Sequence, residues 1–514
     1  MAVISRHPWR IGFATAFILI ALILSLVATV ASRVTSHAAE TLTQISSDPY
    51  TNPTSNHKTE VEPDTFAFGN TIVATFQVGR FFDGGASNIG FSTSTNGGET
   101  FIRGFLPGTT VNATPPGKYH RVSDPSVAFD AKHNVWIISY LAFFSPTAVR
   151  TDVLASRSTD GGRTWGLPVP VNISGHSNDK NWTVCDDTAS SPFFGNCYTE
   201  FDNFSTNNLV QMSTSTNGGK TWGPSLTTPD HACVIGGQPL VQPNGTVIVP
   251  TDDCFETSLL SFRSTNGGKS WSRVVLAAQI LAAPEPGALR SGPLPTAEID
   301  RSGKVYVVWN DCRFEVGCNS FGVANDLVMT TSLDGIHWSL VKRIPIDPVG
   351  SGVDHFIPGL AVDRTTADGS AHLGLAYYFY PNVNCTIATC KLDVGFISST
   401  NGGASWSHAE QLAGPMKTPW LPLTTQGFMV GDYISTSIVP GDDDANPVFA
   451  VARPPDTPPS CSNLSTGAPG QDCHQAMFTT PEDLLLITGG TNAATSGPTH
   501  MPAKPPAHIR HTDK

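Results

Sequence analysis

Ser215-Thr-Asn-Gly-Gly-Lys-Thr-Trp222 is a turn written in eight residues. An Asn side chain can bond its own backbone two residues on, and the glycines after it supply positive φ without steric cost. The Ser and Thr hydroxyls can bond across the bend, and the closing Trp can cover it. The same signature recurs at 94–101, 158–165, 264–271 and 399–406, and one residue shorter at 332–338. The first residues of the six copies are 64, 57, 49, 68 and 67 apart. Each follows an alternating apolar run, as in Asp326-Leu-Val-Met-Thr-Thr331 or Leu259-Leu-Ser-Phe262, so the repeat reads strand, tight turn, strand.

A second series runs in step with the first. Stretches that read as innermost strands begin near Glu62, Asp124, Asp179, Gly236, Leu294, Ile357 and Gly427, at spacings of 62, 55, 57, 58, 63 and 70. Most are followed by a turn and another apolar strand, as in Asn134-Val-Trp-Ile-Ile-Ser-Tyr140 and Lys304-Val-Tyr-Val-Val-Trp309. That spacing is about one four-stranded antiparallel unit with its loops.

The turn signature resembles the Asp-box, the bacterial neuraminidase repeat of sialidase-like β-propellers. The resemblance covers residues 94–406. It implies an all-β chain folded as a single propeller, with the boxes in peripheral hairpins away from the catalytic face. Seven strand starts and six boxes predict seven four-stranded blades, with six blades as the alternative. The propeller is expected over 56–488, between a polar stalk at 39–55 and a tail at 489–514 rich in Gly, Thr, Pro and His. Thr41–Ser47 is the stretch of the stalk that can add a closing strand.

Composition agrees with a β chain. Charged residues make up 14% of 514 residues, against roughly 25% in an average soluble domain. With 47 Gly and 40 Pro, the chain is poor material for a helical bundle or coiled coil. The 27 Phe, 10 Trp and 9 Tyr supply a core, which excludes wholesale disorder. Net charge is −12 with no Lys/Arg cluster, so no nucleic-acid partner is expected.

The amino terminus reads as an address. Arg6 and Arg10 precede an uncharged stretch at 11–31, long enough to span a bilayer. Ser36-His37-Ala38 also fits a cleavage signal before Ala39. Residues 1–38 are therefore a signal peptide or a signal-anchor helix, and both readings export the rest. Any membrane contact is expected only through this segment. Ten cysteines fall in five close pairs: Cys185/Cys197, Cys233/Cys254, Cys312/Cys318, Cys385/Cys390 and Cys461/Cys473. Even count and local spacing predict disulfides in an oxidising compartment. Each would close a short loop, and the five are expected to lock surface connections rather than join distant blades. The competing zinc reading lacks suitably spaced histidines.

Charged residues recur at the starts and ends of the innermost strands, where a propeller's blades converge. The sialidase resemblance implies three arginines that clamp a substrate carboxylate bidentately, a Tyr nucleophile with a Glu partner, and an Asp acid/base. By position, Arg80, Arg121 and Arg313 are expected as the clamp, Tyr433 as nucleophile, Glu200 as its base and Asp124 as acid. The first blade opens on Glu62-Pro63-Asp64, where that family carries an Arg-Ile-Pro type motif. No Gly-x-Ser-x-Gly elbow, His-Glu-x-x-His motif or phosphate-binding Gly loop is present. Asp442-Asp443-Asp444 reads as an exposed acidic turn, since no regular ligand spacing follows. No metal or cofactor is expected. The function expected is an extracellular sialidase-like exo-glycosidase acting on glycans or glycoconjugates. A non-catalytic surface propeller that binds carbohydrate or protein is the alternative, and a polysaccharide lyase is a third class the fold admits.

Overall fold

The computed structural model describes residues 42–486 apart from 145–149, 319, 321, 456–460, 462–471, 481–483 and 485. The expected leader or anchor at 1–38 and the tail at 489–514 lie outside these residues. Among the described residues, no helix is long and apolar enough to cross a membrane. The helical pieces found there are three single 3-10 turns, so the described chain is all-β.

Consecutive antiparallel units make up the chain. The first runs through His57–Phe68, Thr71–Arg80, Ala86–Ser94 and Ile102–Phe105, each strand pairing with the next. Further units open on Arg121–Asp130, Asn178–Cys185, the broken pair Val234–Ile235 and Leu240–Val241, Thr296–Ile299, Asp354–Val362 and Ser435–Ile438. The opening strand of each unit packs against that of the next, and Ser435–Ile438 packs against His57–Phe68. Hydrogen bonding also links units: Asp472–Thr479 pairs parallel with His57–Phe68, and Ala86 pairs with Val122, so the last, first and second units share one continuous sheet. Thr43–Gln44, inside the expected stalk, pairs with Thr479 and Phe478 and completes that edge, with Ile45 and Ser46 fully buried behind it.

Strands such as Val305–Asp311 are buried on both faces, because sheets stack on either side and apolar residues pack between them. Val73, Ile89 and Phe91 of the first unit meet Phe129, Trp136 and Ile138 of the second. Tyr198, Val210 and Met212 of the third meet Val247, Val249 and Phe262 of the fourth. The cluster around Tyr378, Phe396 and Phe449 takes in Phe76 and Val78 of the first unit, so the chain's two ends share one core.

The six repeat turns form one hydrogen-bond pattern. The Oγ of Ser94, Ser158, Ser215, Ser264, Ser332 and Ser399 accepts the N–H of the following Gly98, Gly162, Gly219, Gly268, Gly335 and Gly403 at 2.9–3.0 Å. The side-chain oxygen of Asn96, Asp160, Asn217, Asn266, Asp334 and Asn401 accepts a second backbone N–H at 2.8–3.1 Å. Every one of these turns follows the third strand of its unit, and the closing aromatics Trp165, Trp271 and Trp406 pack into the inter-sheet cores.

The five expected cysteine pairs are bonded as disulfides: Cys185–Cys197, Cys233–Cys254, Cys312–Cys318, Cys385–Cys390 and Cys461–Cys473. Their expected place at the surface is corrected. Cys197 is 0% exposed, Cys390 1% and Cys473 0%, and Cys185, Cys312 and Cys461 are buried too. Local pairing fixes the partner but not the depth, which the packing around each sulfur sets. Cys197 lies directly opposite Cys185 across two paired strands, and both join the core of Val135, Ile137 and Phe201. Cys390 belongs to the core that joins the chain's two ends, with Gly287 pressed against its sulfur. Cys473 lies in Asp472–Thr479, which strands flank on both sides. The Cys233–Cys254 bridge keeps to the partly exposed surface that was expected of all five.

One strand start moves. The last opening strand is Ser435–Ile438, whereas Gly427–Phe428 turns back on Leu423–Thr424 as a separate hairpin. Gly427 has φ +125°, and a Cβ there would stand 2.5 Å from the Ala288 carbonyl oxygen. The close approach to 288–290 takes this stretch out of the strand that its apolar pattern suggests.

Candidate functional site

Several opening strands carry the same irregularity. Glu62, Asp124, Lys180 and Ile357 all have positive φ, between +48° and +55°. Each sits where the register with the second strand slips, between Val61 and Asp64, Ser123 and Ser126, Asp179 and Trp182, and Phe356 and Gly359. A bulge with a left-handed residue re-aims one side chain away from the pleat. L residues in that region store strain that the surrounding packing must hold. In the first three units the re-aimed residue is charged, and all three line one cleft.

That cleft is open to solvent, with a volume of about 370 Å³, and its walls include Glu62, Arg80, Asp83, Ser123, Asp124, Asp179, Lys180, Phe204 and Arg290. Lys180 Nζ is bonded to Asp432 Oδ2 and lies 3.9 Å from Asp124 Oδ2. Arg290 grips the same Asp432 with two bonds, Nε to Oδ1 at 2.7 Å and Nη2 to Oδ2 at 2.5 Å. Burial works against ionising Asp432, but Arg290 and Lys180 overcome it and hold the carboxyl far below its ordinary range. Burial likewise opposes the Lys180 charge, yet Asp432 and Asp124 hold its pKa above the ordinary lysine value.

Glu62 behaves in the opposite way. It is 1% exposed, and burial, followed by the nearby Asp124 and Asp432 carboxylates, pushes its pKa to about 8. It therefore carries its proton at neutral pH. Gln77 Nε2 donates to Glu62 Oε2 and also to Ser123 Oγ at 3.1 Å, while Ser123 Oγ donates to Asp124 Oδ1 at 2.5 Å. A protonated carboxyl and a second carboxyl are thus tied through one amide and one hydroxyl.

Arg80 is 3% exposed. Its guanidinium donates to the Gly85 carbonyl at 3.0 Å, to Gln77 Oε1 at 3.5 Å and to Met429 Sδ at 3.3 Å. No carboxylate lies within ion-pair distance of it among the described residues. Desolvation, and then Arg290, lowers its pKa. A buried cation without a direct counter-ion is expensive, and this one lines an open cleft.

The expected site residues divide. Arg80 and Asp124 line the cleft, and Arg121 joins at its edge, pairing with Asp83 at 2.5 Å and lying 4.2 Å over the Phe81 ring. Arg313 goes elsewhere: it bonds Asp311 at 2.7 Å and lies over Trp309, so the cation that stands beside Arg80 is Arg290. Tyr433 is next to the cleft, but its hydroxyl donates to the Pro125 carbonyl at 3.4 Å and its ring packs edge-on against Trp182. Burial, then Asp124 and Glu62, raises the Tyr433 pKa well above its ordinary value, which opposes a phenolate nucleophile. Glu200 is fully buried, paired across the sheet with Trp182 and pressed against Gly237. The structure does not bring it to the Tyr433 hydroxyl, because the Trp182 strand lies between its own strand and the cleft. Other charges near strand ends hold local structure: Asp64 accepts the Val127 N–H at 2.7 Å, and Asp253 caps the turn at Thr257.

Arg290 escaped sequence reasoning. It stands in a loop with no counterpart in the repeat. Backbone bonds between Arg290 and Phe428, and between Phe428 and Ala288, fasten that loop to the Gly427–Phe428 hairpin. Only this long-range pairing delivers Arg290 to Asp432. Glu62, Lys180 and Asp432, by contrast, are among the charged strand-start residues that the sequence places where the units converge, though without a role.

No family model matches the sequence, and no curated protein does. Solved structures similar to it include the leech intramolecular trans-sialidase complexed with 2,7-anhydro-Neu5Ac, at 11% identity over 65% of this chain and 67% of that one, with a TM-score of 0.43. Trypanosoma rangeli sialidase in complex with sialic acid is 14% identical over 70% of this chain and 59% of its own, with a TM-score of 0.40. A polysaccharide lyase, ulvan lyase, is 9% identical over 86% and 96%, with a TM-score of 0.46.

Proposed function

We propose that the units from His57 to Thr479 close as a seven-bladed propeller outside the cytosol, and that its cleft cleaves glycosides of carboxylated sugars. The packing of each opening strand on the next, and of the last on the first, supports the closure. Five disulfides support the compartment. The observation that carries the activity is Glu62, a buried carboxyl that keeps its proton at neutral pH beside Asp124 in a cleft walled by Arg80.

In this reading Glu62 donates its proton to the departing glycosidic oxygen, as a general acid with a raised pKa does. Asp124 supplies the carboxylate that attacks or activates water, and Arg80 receives the sugar carboxylate through Nη2, the guanidinium nitrogen that Met429, Gln77 and Gly85 leave unengaged. Arg121 fixes the loop that walls the cleft. The catalytic work thus moves from Tyr433 and Glu200 to Glu62 and Asp124. Binding without catalysis is the second reading, favoured by the Asp432–Lys180–Arg290 group, which satisfies its own charges internally.

The test is turnover of fluorogenic sialosides, glucuronides and neutral glycosides by the purified protein and its variants. Glu62→Gln should lower turnover of carboxylated substrates by roughly 10²–10⁴. Arg80→Ala should raise their KM by about tenfold or more, while Arg313→Ala leaves both constants unchanged. Absence of turnover on every substrate, with Arg80-dependent sugar binding retained, gives first place to the binding module.

A further inference from the structure

We propose that the cleft is one subsite of a wider face that takes an extended anionic polysaccharide, held by a rim of exposed phenylalanines. The proposal rests on the glycan reading of the cleft. In an antiparallel unit the second strand ends where the first begins, so the loops after the second strands rise around the cleft. Four consecutive units, the second to the fifth, carry an exposed Phe in that loop: Phe144 is 39% exposed, Phe204 65%, Phe255 77% and Phe314 38%. Scattered apolar residues on a surface are ordinary. Four at the equivalent loop of successive units, around one cleft, are a pattern.

Three of these rings are held locally. Phe255 follows Cys254 of the Cys233–Cys254 disulfide, Phe314 lies inside the loop closed by Cys312–Cys318, and Phe204 opens a 3-10 turn. Rings held this way lose little freedom when they meet a ligand. Phe204 also lines the cleft itself, so the rim and the cleft are continuous. A single sugar in the cleft reaches Phe204 alone, whereas the rings on the next units need a longer ligand.

The cations at the Phe144 end of the rim favour an anionic ligand there, whereas Glu256 and Glu315 stand next to Phe255 and Phe314. In a chain of net charge −12, Lys118 Nζ stands 5.1 Å from the Phe144 ring centre and the Arg150 guanidinium 4.7 Å from it. A ring can stack on the C–H face of a pyranose while the neighbouring cation takes its carboxylate or sulfate. A lipid surface fits less well, because the face encloses a charged cleft and not a continuous apolar patch.

The experiment measures binding of polygalacturonate and of galacturonic acid monomer to the full chain, with the melting temperature as a check on folding. The Phe255→Ala/Phe314→Ala double variant, which leaves the cleft-lining Phe204 in place, should weaken polymer binding by about tenfold per ring and leave monomer binding within about twofold. Arg80→Ala should weaken both ligands. Unchanged polymer binding in the folded double variant, with Arg80→Ala still damaging both, overturns the rim and leaves the cleft reading standing. Monomer binding that ignores Arg80→Ala overturns the cleft reading instead. Failure of the polymer to bind, together with Phe255- and Phe314-dependent binding to phosphatidylcholine–phosphatidylglycerol vesicles, replaces the polysaccharide by a membrane.

Discussion

Glu62→Gln should make the protein more stable, and increasingly so as pH rises. Below about pH 4.5 the carboxyl is protonated in both folded and unfolded chains and contributes no difference. Between 4.5 and about 8 the unfolded chain ionises while the folded chain keeps the proton. Folding then loses about 1.4 kcal/mol for each pH unit. Above about 8 both states are ionised, and the loss levels off at about 5 kcal/mol. Gln is isosteric, cannot ionise and still accepts from Gln77, so the variant escapes this loss. In a unit of this size each kcal/mol moves the melting temperature by about 1–2 °C. The gap between variant and wild type should therefore widen by about 4 kcal/mol, or about 4–8 °C, from pH 5 to pH 9, read by thermal unfolding with disulfides intact. The alkaline limb of wild-type kcat/KM should fall through the same region near pH 8, where the acid loses its proton. A stability gap that stays flat from pH 5 to 9 would mean that Glu62 is ionised in the folded protein, and the general-acid role would fall with it.

Asp432→Asn removes the one carboxylate that both Lys180 and Arg290 grip, leaving two largely buried cations short of charge. Urea denaturation should show a loss of about 3–5 kcal/mol, and a loss under 1 kcal/mol would mean that the group is solvated. Asn217→Ala deletes the bonds from Thr221 N at 3.0 Å and to Thr221 Oγ1 at 2.7 Å in an exposed turn. It should cost about 1 kcal/mol of stability and leave turnover intact; a drop in turnover at unchanged stability would contradict the separation of turns from site.

The repeat turns and the disulfide pairings were legible because their chemistry is local. The Ser215 hydroxyl finds its Gly219 partner four residues on, and Cys312 finds Cys318 after six. Such distances are set by short pieces of backbone, whatever the rest of the chain does. The depth of the sulfurs was not legible, since Cys197, Cys390 and Cys473 are covered by strands and side chains from elsewhere in the chain. The count of opening strands followed from spacing, since each unit must cross the same sheet width. Even there Gly427 misled, because its backbone serves a contact with 288–290 that lies far away in sequence.

What only tertiary structure decided is the site. Glu62, Asp124, Lys180 and Asp432 share a place near strand starts, but packing alone decides which of them pair and brings in Arg290 from a loop outside the pattern. Nor does sequence reveal which carboxyl keeps its proton. Asp432 and Glu62 are both buried carboxyls, yet two cations pin one as an anion while neighbouring carboxylates and burial leave the other protonated. Glu200 and Tyr433 looked equivalent to these by position along their strands, but burial faces one into the sheet and a backbone carbonyl holds the other. Turn geometry is an energy of near neighbours, fixed by a few dihedrals. Charge state is an energy of the whole surroundings, and it exists only once the sheets have packed.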